Sequence, residues 1–141
     1  NIDITYINNL KKLSTKKPDR IVVLGDNFKI KELEFKLQCI FKNELYITRS
    51  LPYFCEILNP NSGKDKALSW LCHKLQINKS QTIAFGNGFN DLQMIEWVEM
   101  GVAVKNSVPE VINVANKIAP SIQNDGVAST LEEFLKSGYF G

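Results

Sequence analysis

The sequence holds few of the residues that would make a metal or redox site easy to read. Its one histidine, His73, has no acid or nucleophile at a telling spacing, so it reads as a helix-surface residue. The cysteines, Cys39, Cys55 and Cys72, are odd in number and form no C-x-x-C pair. That pattern argues against a zinc site or a disulfide framework and fits reduced thiols in a cytoplasmic protein. No apolar run approaches the ~18 residues of a membrane span. Neither sign of charge dominates: the net charge is +2 with both signs interspersed, which leaves no footprint for nucleic acid. The basic cluster "KKLSTKK" (11–17) reads as a solvated helix end and loop. No secretory leader is expected either, because the charge in "NIDITYINNLKK" follows the apolar residues. The first residue is not Met, so a processed or excised piece of a longer chain is expected. No internal repeat or low-complexity tract is evident.

What is there is an ordinary globular composition, 44% hydrophobic over 141 residues. Ile4, Ile7 and Leu10 predict a short helix over 3–13. "RIVVLG" (20–25) reads as a strand ended by Gly25. Apolar residues Ile30, Leu33, Leu37, Ile40 and Phe41 recur at helical spacing over 28–43. "LYITRSL" (45–51) and "YFCEIL" (53–58) read as two strands around Pro52. After "NPNSG" (59–63) the pattern becomes regular. A helix with Leu68, Leu71 and Leu75 on one face is followed by the strand "TIAFG" (82–86). That strand does not alternate, as expected where both faces are covered. Then come a helix over 91–100, the strand "GVAV" (101–104), a helix with Pro109 in its first turn, and a short strand at "KIAPSI" (117–122). A last helix carries Ser129 and Glu132 in capping-box spacing and ends at Gly138. Trp70, Trp97 and the phenylalanines are expected in the core.

Strands alternating with helices imply βαβ units and a parallel sheet. The fold class is therefore α/β, in two segments joined near 52–63. About 80 residues make a thin open sheet, so more strands are expected beside it than this chain supplies.

Ligands of open parallel sheets bind at the carboxyl ends of the strands. "NSGKDKAL" places Lys64 in the first turn of a helix, with Ser62 and Asp65 in capping-box-like spacing. The helix N–H groups and an ammonium can converge on one phosphate there, although a lone lysine at a helix start also fits no function. "TIAFGNGFND" (82–91) is the second candidate. Gly86 and Gly88 let the chain turn tightly, Asn90 is a natural N-cap, and Asn87 and Asp91 could face the crevice. A purely structural turn reads equally well. Asn106–Pro109 suggests a helix cap and a wall of the site, and "QNDGVA" (123–128) an Asp-Gly turn.

Taken in order, "EILNPNSGKDKAL" and "FGNGFNDLQMIEWVEMGVAVKNSVPEVINVANKIAPSIQNDGVASTLEEFL" resemble the C-terminal part of Cof-type haloacid dehalogenase-superfamily phosphatases. Upstream, "RIVVLGD" through "SLPYFCEI" is similar to the closing half of that family's α/β cap domain. The resemblance implies residues 1–58 as the C-terminal part of a cap domain and 59–141 as the C-terminal half of a Rossmann-like core. It implies Mg²⁺ and hydrolysis of small phosphorylated metabolites through an aspartyl-phosphate. By position, Lys64 matches the lysine that holds the phosphoryl group and steadies the nucleophile. Asn90 matches the phosphate-contacting asparagine. Asp91 matches the second acid of the loop, which supports the metal. Asn87 stands where the family has a Mg²⁺-binding aspartate.

Two departures shape the expectation. The nucleophile motif D-x-D-G-T is absent: "NIDIT" offers only Asp3. The Ser/Thr motif expected before the cap is absent too. The missing N-terminal half of core and cap is then an expected partner, and the isolated chain is expected to be inactive. Asn87 brings an amide oxygen without charge, so Mg²⁺ binding is expected to be weak or absent. The alternative is an impaired pseudophosphatase that acts as a binding or regulatory protein on the same fold.

Overall fold

The computed structural model describes residues 4–13 and 17–139. Asp3 lies outside the described residues, as do Asn1, Ile2 and residues 14–16 of the basic cluster. The helix expected over 3–13 is reduced to a 3₁₀ turn at Leu10–Leu13, with Ile4 72% exposed. Ile4 finds no apolar surface to cover, and a short isolated helix is marginal in water.

The first sheet is antiparallel, in the order β1-β3-β2, with β1 Arg20–Leu24, β2 Tyr46–Leu51 and β3 Phe54–Leu58. Helix α1 (Asn27–Phe41) starts where the Asp26 carboxylate accepts Phe28 N at 2.9 Å. It packs Leu33, Leu37 and Phe41 around a core of Ile30, Ile47 and Cys55. Ile40 departs from the expected stripe and is 67% exposed.

The second sheet is parallel, in the order β4-β5-β6: β4 Ile83–Gly86, β5 Met100–Val104 and β6 Lys117–Ala119. Helices α2 (Lys64–Leu75), α3 (Leu92–Trp97), α4 (Pro109–Val114) and α5 (Gly126–Lys136) connect and cover it. One core lies between the sheet and α3 and α4, around Ala84, Ile95, Val98, Ala103 and Val111. The other joins Val102, Val104, Ala119 and Phe134 of α5. The α/β reading holds, and helices cover both faces. The strand buried along most of its length is β5, whereas Ile83 and Phe85 of β4 are half-buried. Strand β4 pairs on one side only among the described residues, which accounts for the difference.

Several local readings are corrected. In α2 the buried residue is Cys72, with Leu68 packed on the core beside α3, while Leu71 and Leu75 are exposed. Trp70 is 63% exposed, with the Lys74 ammonium 5.0 Å from its ring centre. Phe28 and Phe35 are exposed too, while Trp97 packs on the core. Helix α3 stops at Trp97, because Met100 is already committed to β5. Helix α5 starts at Gly126, three residues early, so Ser129 lies inside it and its hydroxyl bonds Gly126 O rather than forming a capping box. The Asp-Gly turn is present, with Asp125 left-handed at φ 50°. Gly138 ends the helix at φ 71°, and Tyr139 N reaches back to Phe134 O at 3.0 Å. Among the described residues no helix is long and apolar enough to cross a membrane.

The two sheets meet where β2 runs past the loop that follows β4. Tyr46 Oη donates to Gln93 Oε1 at 3.2 Å, and the Arg49 guanidinium lies over the Phe89 ring.

Candidate active site

The site grows from the carboxyl end of β4. After Gly86 the chain passes through Asn87 and Gly88 into a 3₁₀ turn, Phe89–Asp91, and then into α3. A Cβ on Gly86 would sit 2.7 Å from Asp91 Cβ and 3.0 Å from Ile95 Cγ1. Only glycine lets the loop fold back this closely. Asp91 then turns its carboxylate toward the start of its own loop. Its Oδ2 accepts Asn87 N at 2.9 Å and Gly88 N at 3.0 Å. This corrects the role expected of Asn90. Asp91, not Asn90, is the N-cap residue of α3, and its charged side chain, a stronger acceptor than an amide, takes the Asn87 and Gly88 N–H groups rather than those of the helix.

The other Asp91 oxygen, Oδ1, accepts a hydrogen bond from Lys64 Nζ. Lys64 opens α2, whose N-cap is Gly63 with no side-chain cap bond, so the Ser62–Asp65 capping box does not form. The pair is asymmetric: the Asp91 side chain is 6% exposed and that of Lys64 is 49% exposed. An ammonium has three donors; with one spent on Asp91, two can face a ligand or solvent. Burial pushes the Asp91 carboxyl up. The Lys64 hydrogen bond, the two backbone N–H groups and the Lys64 charge together outweigh it, and hold the group below the ordinary 3.8. Asp91 is therefore ionised at neutral pH.

The Asn87 and Asn90 side chains make no hydrogen bond to other described residues. Asn87 is exposed and Asn90 half-buried, so both amides are available at the mouth of the site. The loop after β5 braces it. Val108 N donates to Asn87 O at 3.0 Å, and Ser107 Oγ lies 3.2 Å from Gly86 O. The N-cap of α4 is Val108, inside the expected 106–109 cap, and Asn106 Oδ1 accepts Ile122 N at 3.4 Å. The structure thus brings Lys64, Asp91, Asn87 and Asn90 to one strand end.

These residues do not by themselves make a Mg²⁺ site. Among the described residues no group of three or more His, Cys, Asp or Glu side chains could hold a metal. Both Asp91 oxygens already accept hydrogen bonds, and Asn87 offers one neutral oxygen. Mg²⁺ favours near-octahedral oxygen ligation built on carboxylates and phosphates.

The haloacid dehalogenase-like hydrolase family matches residues 1–131. The chain belongs to that family. A Haemophilus influenzae protein named "Putative phosphatase" is 34% identical over 127 residues, 90% of this chain and 48% of its own length. A kanosamine-6-phosphate phosphatase of Bacillus subtilis is 29% identical over 85 residues, 60% of this chain and 30% of that protein. The crystal structure of a haloacid dehalogenase-like hydrolase from Bacteroides thetaiotaomicron superposes with TM-score 0.67 at 30% identity, covering 92% of this chain and 49% of that one. The chain thus spans half or less of each of these three proteins. Membership in this hydrolase family agrees with the resemblance to its Cof-type phosphatases.

Sequence reading missed two contributors: Arg49 and Phe89. For Arg49 the signal was a charge in the middle of the apolar strand "LYITRSL". Phe89 sits inside the glycine loop, where a phenylalanine reads as a core residue. Ser107 belongs to the Asn106–Pro109 loop read as a wall of the site, and its hydroxyl reaches Gly86 O.

Proposed function

We propose that the intact protein is a phosphohydrolase of small phosphorylated metabolites, and that this strand end is one wall of its pocket. The Lys64–Asp91 pair is the observation that carries the reading. A buried ionised acid holds an ammonium at a helix start, at the carboxyl end of a parallel strand. Lys64 would bind a phosphoryl oxygen with its free protons, aided by the first N–H groups of α2. Asn90 would donate its amide to the same group. Asp91 would keep Lys64 charged and oriented, and would spend the Asn87 and Gly88 amides on itself rather than on a ligand. A phosphatase name among the relatives, and a sugar phosphate in one of those names, supports the substrate class.

The first sheet would serve as part of a cap over the pocket, and residues outside this chain would supply the nucleophile. Any Mg²⁺ would depend on oxygens beyond Asn87 and Asp91 and would bind weakly. That weak donor set favours a second reading, a binding or regulatory protein on the same fold. A generic phosphate ester with Mg²⁺, given to the intact gene product, separates the two. Hydrolysis supports the enzyme; no phosphate release, even after Asn87→Asp, leaves only the binding role.

A further inference from the structure

Arg49 is a buried charge on β2, outside the Lys64–Asp91 pair. Its side chain is 8% exposed, and its Nε donates to Glu34 Oε2 of α1 at 2.6 Å. Ion pairs this deeply buried contribute little net stability, because desolvation offsets their attraction. What the pair does here is hold a planar guanidinium in one place. Its Cζ lies 3.8 Å from the centre of the Phe89 ring, a stacking distance. Phe89 opens the 3₁₀ turn that ends in Asp91.

Two further features serve the same contact. The β2–β3 register shifts between Arg49 and Leu51, and such an irregularity re-aims side chains along a strand. A Cβ on Gly88 would also lie 3.9 Å from Ser50 O, so strand and loop run in near contact.

We infer that Arg49, fixed by Glu34 and stacked on Phe89, is a positioning residue that clamps the 86–91 loop from the first sheet. The clamp sets the turn that aims the Asn87 and Gly88 amides at Asp91, and so fixes where Lys64 is held. Its importance for turnover rests on the phosphohydrolase reading; its effect on the loop does not. Lysine at position 49 keeps the charge beside Glu34 but loses the plane that stacks.

Amide hydrogen exchange of the full chain, followed by NMR, tests the clamp without any turnover. Arg49→Lys and Phe89→Leu are each expected to speed exchange at Asn87 and Gly88 by about tenfold. The double variant should be no faster than the faster single one, and Phe89→Tyr, which keeps the ring, should match the parent. Val102, deep in β5, should not change in any variant. Unchanged exchange at Asn87 and Gly88 would overturn the inference. So would effects that multiply in the double variant, Phe89→Tyr as fast as Phe89→Leu, or equal acceleration at Val102, which would mean general loosening. A protein without phosphatase activity would sink the proposed function and leave these outcomes intact.

Discussion

Lys64 and Asp91 stand 27 positions apart and share a proton bridge, with the acid buried and the base reaching the surface. The bridge joins the start of α2 to the loop after β4. It makes one acid responsible for a lysine and for two backbone amides at once.

Asp91→Ala should therefore cost more than a surface substitution. It leaves Asn87 N, Gly88 N and Lys64 without their shared acceptor, at a cost of about 1–3 kcal/mol. Urea unfolding of parent and variant measures it. An unchanged midpoint with an unchanged slope would show that the three donors find water as readily as they find Asp91.

The same group predicts a pH dependence. Its folded pKa is depressed below 3.8. The stability it adds is thus fully present above 3.8 and is lost as pH falls through the lower folded value. Unfolding free energies of the parent and Asp91→Asn, measured from neutral to strongly acid pH, should converge only below that point. Convergence already at neutral pH would contradict an ionised Asp91.

Gly86 is under a steric demand. An alanine there places its methyl 2.7 Å from Asp91 Cβ and 3.0 Å from Ile95 Cγ1. Overpacking of this kind costs about 1–3 kcal/mol, and thermal melting should show it. A melting point equal to the parent's would mean that Asp91 is free to move aside.

Asn87→Asp adds a charge where the loop now shows a neutral amide. Calorimetric titration with Mg²⁺ should give tighter binding for the variant, by roughly tenfold, since each carboxylate adds charge to an oxygen-ligand site. Equal affinity would place the metal, if one binds, away from this loop.

Much of the fold was legible because it is periodic. The alternation of "TIAFG", "GVAV" and "KIA" with helical spacings led to a parallel sheet, and Gly138 marked a helix end that is real. The misreadings came from competition among neighbours. Met100 reads as helix but is drawn into β5 beside Ile83. Ser129 and Glu132 have capping-box spacing, but Gly126 can approach Pro120 O more closely than any residue with a Cβ, and the helix starts there. Asn87, Asn90 and Asp91 were legible as types on a loop at a strand end, and Lys64 as a cation in a first helical turn. The Lys64–Asp91 bond was not, because it depends on the start of α2 meeting the 86–91 loop, 27 positions away in sequence. Arg49 over Phe89 was hidden for the same reason: it joins two sheets.

The most direct test is the kcat/KM of the intact protein on a phosphate ester, parent against Lys64→Met. Loss of a charged donor to the transferring phosphoryl group should lower it by about 10²–10³-fold. The thermal midpoint should fall as well, because the buried Asp91 carboxylate keeps only its two backbone donors, so both proteins are assayed well below the variant's melting point. A variant with at least a third of the parent's kcat/KM would contradict the assignment of this strand end as the phosphoryl site.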